Sequence, residues 1–172
     1  MKWNVLGVVL CASLVSGCAG ATSYSSRPLD IHSDGVDIFG CLPDDEGEFV
    51  AVADAAIYPA SLPGEIPPTA WEITLSEGNP PLRLAPGECV VYRKLPDGYE
   101  NVSPPSDIEE EWPYEFVVRS PHWGKHRTRI HASGFCLRKS ASGIDVVEIP
   151  EGPSVVSVEA CKQLLDTGHW QR

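Results

Sequence analysis

Sixteen prolines and fifteen glycines are spread through a chain of 172 residues, and they cut it into short pieces. Proline fixes φ and carries no amide proton, while glycine takes up the conformations that tight turns need, so long helices have little room here. Between the breaks lie short runs rich in β-branched and aromatic residues. These are residues 36–41, Phe49-Val50-Ala51-Val52-Ala53, Trp71-Glu72-Ile73-Thr74-Leu75, Cys89-Val90-Val91-Tyr92-Arg93, Tyr114-Glu115-Phe116-Val117-Val118-Arg119, residues 128–132 running on toward Phe135-Cys136-Leu137, and residues 144–149. Such residues suit a pleated, half-buried surface, and each run reads as a strand. Residues 59–68, 79–87 and 96–113 read as turn-rich connectors. Ser142-Gly143 suits a tight turn, which predicts a hairpin over residues 135–149. Many short strands without a repeat of fixed period predict a mainly β fold, an antiparallel β-sandwich of immunoglobulin-like type.

One helix is predicted near the end. Ser157 can cap its N-terminus, Glu159 complements the dipole in the first turn, and Gly168 can close it. Ala160, Leu164 and Leu165 would face the body of the domain, with Cys161 on or near that face.

The first residues form a different unit. Lys2 supplies a positive start, residues 5–15 form an apolar run, and Ser16, Gly17 and Cys18 follow. A basic start, a short apolar core and a small-residue exit describe a secretory signal. The run is shorter than the roughly 20 residues a membrane-spanning helix requires. Val15-Ser16-Gly17-Cys18 resembles the lipobox of bacterial lipoproteins. That resemblance implies cleavage before Cys18, a diacylglyceryl group on its thiol and acylation of the new amine. Ala19, standing where an aspartate would retain the protein in the inner membrane, implies the periplasmic face of the outer membrane. The expected organisation is a signal over residues 1–17, a lipidated N-terminus and flexible tether over 18–34, and a single β-rich domain over 35–172.

Beyond the signal and the lipid-bearing Cys18, four cysteines remain: Cys41, Cys89, Cys136 and Cys161. An even number in an exported chain predicts disulfides, and three pairings are open. No Cys-x-x-Cys spacing points to metal or redox chemistry.

Asp and Glu number 24 against 13 Lys and Arg, and Lys2 is the only charged residue of the signal. Repulsion from phosphates therefore argues against nucleic acid as a partner, and the membrane is reached through the lipid alone. A protein partner with a basic surface suits this charge. Residues 119–139 run against the trend: they hold Arg119, Lys125, Arg127, Arg129, Arg138 and Lys139, together with His122, His126, His131 and Trp123, and no acid. Upstream stands Asp107-Ile108-Glu109-Glu110-Glu111-Trp112. Trp112, Trp123, Asp107, Glu109, Glu110 and Glu111 are the candidate partner-binding residues, since tryptophan anchors and complementary charge are common at interfaces. The plainer alternative is that acidic loop and basic strands face each other within the domain.

No catalytic constellation stands out. The serines lie in turns, no nucleophile elbow or phosphate loop occurs, and no cofactor is implied. His126 and His131 are an odd number apart, which on a strand puts them on opposite faces. They read as surface histidines, not as a metal site. Asp44-Asp45-Glu46 with Glu48 reads as a solvated turn.

Leu84-Ala85-Pro86-Gly87-Glu88-Cys89-Val90 and Phe135-Cys136-Leu137, with the lipobox and the strand over residues 114–118, resemble a group of small bacterial lipoproteins identified as periplasmic immunity proteins of type VI secretion systems. The resemblance implies a non-enzymatic binder that occludes a toxin delivered by a neighbouring cell. An inhibitor of host lysozyme or another envelope hydrolase, and a structural lipoprotein of envelope assembly, are the other readings of the same features.

Overall fold

The computed structural model describes residues 26–60, 67–121, 129–149 and 157–167. In chain order they form β1 (Asp30–Ser33), β2 (Ile38–Cys41), β3 (Val50–Ala51), β4 (Asp54–Pro59), β5 (Trp71–Leu75), β6 (Arg83–Leu84), β7 (Cys89–Val91), β8 (Tyr99–Ser103), β9 (Pro113–Arg119), β10 (Ile130–Ser140), β11 (Gly143–Ile149) and α1 (Val158–Thr167). All paired strands run antiparallel, in a sheet of order β1-β2-β7, a sheet of order β11-β10-β9-β4-β5-β8, and a small β3-β6 ribbon. The fold is mainly β, sandwich-like and open-edged, with one short C-terminal helix, as the sequence predicts.

Alternation along the strands decides what lies inside. Ile57, Trp71, Ile73, Phe116, Phe135 and Leu137 from the large sheet meet Leu29, Ile31, Ile38 and Val90 in one core. Trp71 sits at its centre, edge-on to Phe116 and to Tyr92 at centroid distances of 6.1 and 5.7 Å. Gly40 on β2 lies against the Phe116 ring, and a Cβ there would stand 3.0 Å from two ring carbons. Glycine is what lets β2 approach the larger sheet so closely.

Cys41 pairs with Cys89 directly across the β2–β7 register, and Cys136 on β10 pairs with Cys161 on α1. Cys136 lies between the inward-facing Phe135 and Leu137, so it points to the outer face, where Ile149 and Leu164 pack beside it. Neither bridge joins the two main sheets, unlike the core disulfide of antibody domains. The Ser157 hydroxyl accepts the Ala160 amide at 3.1 Å and caps α1 as predicted. The predicted hairpin is β10–β11, and Gly143 at φ 126 makes its turn.

Several boundaries need correction. The tether does not reach residue 34: β1 begins at Asp30, and Leu29 and Ile31 are buried in the core. β2 starts at Ile38, leaving Val36 exposed. β4 was not predicted, and β6 and β8 lie inside stretches read as connectors. Residues 18–25 of the proposed tether, with Cys18, lie outside the described residues, as do His122, Trp123, Lys125, His126 and Arg127.

Candidate functional site

Residues 104–112 leave β8 through Pro104-Pro105 and enter β9 at Pro113, and nearly every part of this loop is fastened. The Ser106 amide donates to the Ala70 carbonyl at 2.9 Å, and its hydroxyl donates to the same oxygen at 3.1 Å. The Ser106 carbonyl accepts from the Tyr92 hydroxyl and from the Arg93 guanidinium. Arg93 also reaches the Asp107 carboxylate at 2.9 Å. Ile108 is buried and plugs the loop into the core. The Glu109 amide donates to the Tyr114 hydroxyl at 2.9 Å, and the Glu110 carboxylate accepts the Lys139 amide at 3.2 Å. The Glu111 amide donates to the Leu137 carbonyl at 2.9 Å, and its carboxylate lies 3.5 Å from Lys162 of α1.

Two non-glycine residues of the described chain have positive φ, and both belong to this arrangement: Arg93 at 69° and Glu111 at 60°. Such conformations carry a cost that surrounding contacts must offset. At Arg93 the guanidinium lies over the Tyr92 ring and bonds two loop oxygens; at Glu111 the amide and carboxylate are both engaged. Burial pushes the Tyr114 hydroxyl above its ordinary pKa, so it stays neutral and can hold the Glu109 amide.

The predicted site residues separate on this frame. Asp107, Glu109 and Glu110 are exposed, and Glu111 is half-buried. Trp112 is not an exposed anchor: it packs on the main core, and its indole nitrogen is buried without a hydrogen-bond partner among the described residues. Tryptophan here supplies apolar area to the core beneath the loop.

The acidic loop does meet basic side chains within the domain, but they lie outside residues 119–139, whose Leu137 and Lys139 reach the loop through backbone groups alone. Asp107 pairs with Arg93, before β8, and Glu111 with Lys162, on α1. Of the basic segment, Arg138 pairs with Asp166 and Arg129 with Glu48. Arg119 lies on the outer face of the large sheet, 2.5 Å from Asp54 and 3.1 Å from the Tyr58 hydroxyl. Those partners flank Ala56 on the same face of β4, and Ala56 is fully buried although it points outward. A small residue there leaves room for the guanidinium to cross.

His131 and Glu46 also depart from expectation. His131 is fully buried, and Glu46, read as part of a solvated turn, is nearly so; the His131 Nε2 lies 3.3 Å from its carboxylate. Among the described residues, no three His, Cys, Asp or Glu side chains gather as a metal site would require. The four cysteines beyond Cys18 are joined in disulfides. What this surface offers is a braced row of carboxylates. Comparison of the chain with family models, with curated proteins and with solved structures finds no match.

Proposed function

We propose that this chain is an outer-membrane lipoprotein, anchored through Cys18 on the periplasmic side, whose β-domain binds and neutralises a protein toxin in the manner of a type VI secretion immunity protein. The observation that carries the binding reading is the fastening of residues 104–112: exposed carboxylates stand on a backbone fixed by hydrogen bonds from four separate parts of the chain. A loop held this way loses little freedom when a partner arrives, which favours tight association. Two disulfides accord with an oxidising compartment, and the lipobox with export. The acidic charge favours a basic partner and speeds the encounter.

Co-purification with the products of adjacent genes tests the reading. A one-to-one complex with a secreted toxin is expected, and Glu109→Lys is expected to slow association about tenfold at low salt. A complex insensitive to that reversal would place the interface elsewhere. Failure to recover any stoichiometric partner would refute the neutralising role, and inhibition of a lysozyme would move the target to an envelope hydrolase.

A further inference from the structure

β10 is longer than its partner β11, which pairs only with residues 134–140. Beyond that point the vacant edge of β10 is taken by the chain's own N-terminal strap. Arg27 forms a parallel bridge with His131: its amide donates to the Ile130 carbonyl at 2.9 Å, and its carbonyl accepts the Ala132 amide at 2.8 Å. The Leu29 amide donates to the Ser133 hydroxyl at 3.1 Å, and Leu29 is fully buried.

Over this short contact lies an ionic cluster in which Glu46 and His131 are buried and the Arg27 side chain is about half exposed. The Glu46 carboxylate takes the Arg27 guanidinium on one oxygen and faces the His131 Nε2 with the other. The His131 Nδ1 is buried and has no hydrogen-bond partner among the described residues. That geometry suits one state, a neutral ring with its proton on Nε2 pointing at Glu46. A protonated ring would carry a second buried N–H with nothing to accept it. We infer that Arg27, Glu46 and His131 form an acid-released latch, which locks the strap to β10 while His131 is neutral and frees it when His131 takes a proton.

The charged groups around His131 come from each element packed there. Glu46 belongs to the loop after β2, Arg27 to the strap, and Arg129, paired with Glu48, to the approach to β10. On β9 the opposite residue is the uncharged Val118. On β11, Glu148 lies further along the same face beside Ser133. Burial holds His131 below its ordinary pKa; Glu46 works against this, and Arg27 and Arg129 reinforce it. With the strap open the ring returns toward about 6.5. Docking is therefore fully favoured above that pH and loses up to about tenfold per unit as the pH falls toward the docked-state value. Glu148 has the opposite sign, since burial raises its pKa and its protonation favours the closed form.

The strap leads back toward Cys18, so release of residues 27–29 would add about 10 Å to the reach of anything attached there. The latch itself does not depend on the lipid or on the toxin.

Hydrogen exchange on the full chain at pH 7.5 and 5.5, corrected for the intrinsic rates, reads the latch at the Ala132 amide. Its protection is expected to fall several-fold, by up to about tenfold, at the lower pH relative to amides of β5 and β9. His131→Gln retains an N–H for Glu46 and is expected to abolish that loss. Unchanged protection in the wild type, or the same loss in the variant, would overturn the inference. Should His131→Gln fail to fold, Arg27→Met decides: it is expected to expose Ala132 already at pH 7.5, and full protection there would overturn the latch equally.

Discussion

Removing the Cys136–Cys161 bridge by Cys161→Ser should destabilise the protein by about 3.5 kcal/mol, with α1 leaving the sheet first. The bridge closes a loop with a sequence separation of 25, and the entropy that such a closure removes from the unfolded chain gives that figure at 25 °C. Little else holds the helix. Leu164 is its one well-buried apolar side chain besides Cys161, and full burial of a leucine contributes roughly 1.5–3 kcal/mol. The pairs Arg138–Asp166 and Lys162–Glu111 are substantially exposed and add roughly 0–1 kcal/mol each. A helix of ten residues is too short to persist alone. Urea titration followed at 222 nm and by the near-ultraviolet signal of the buried Trp71–Tyr92–Phe116 cluster separates the events. The wild type should show coincident transitions. The variant should lose helical signal before the aromatic signal, and its aromatic midpoint should fall. Coincident transitions in the variant, with a loss under about 1 kcal/mol, would show that packing and not the bridge holds α1.

Two further substitutions probe the core by the same titration. The Tyr99 hydroxyl donates to the Val52 carbonyl at 2.6 Å and accepts the Leu82 amide at 3.1 Å, so Tyr99→Phe strands two backbone groups and should cost roughly 2–4 kcal/mol; a loss below about 1 kcal/mol would mean both find other partners. Gly40→Ala drives a methyl into the Phe116 ring, itself backed by Trp71, and should cost roughly 1–3 kcal/mol; unchanged stability would show that the ring can give way.

How far the sequence discloses this architecture depends on how local each determinant is. Alternation over residues 71–75 marks β5 to the residue, and Ser157 with Cys161 and Leu164 marks α1, because their signals lie within one element. β4 escapes the same reasoning. Its Ala55 and Ala56 are weak strand formers, and they serve here because larger residues stand opposite them, Ile73 and Val118 beside Ala55 in the core, while the Arg119 side chain reaches Asp54 and Tyr58 on the face of Ala56. β8 hides among prolines because it is an edge strand, exposed at Glu100, Asn101 and Val102, and paired with β5 alone. At the candidate site the carboxylates were legible from composition, but the inward turn of Trp112 was not, since it follows from the reversal at Glu111 and the Leu137 carbonyl that fixes it. Glu46 and His131 are separated by 85 residues, and no local pattern signals their meeting.

The positions of the disulfides bear on the same loop. Cys136 immediately precedes Leu137, whose carbonyl holds the Glu111 amide; Cys161 immediately precedes Lys162, which faces the Glu111 carboxylate. Cys89 opens β7, whose continuation supplies Tyr92 and Arg93 to Ser106 and Asp107. Each of these braces thus stands one to a few residues from a bridged cysteine, although neither bridge crosses the core. Two bridges on the outer faces contribute less to joining the sheets than to fixing what borders residues 104–112. A surface stiffened in this way needs little further ordering on contact, so the energy of its contacts with a partner is retained as affinity.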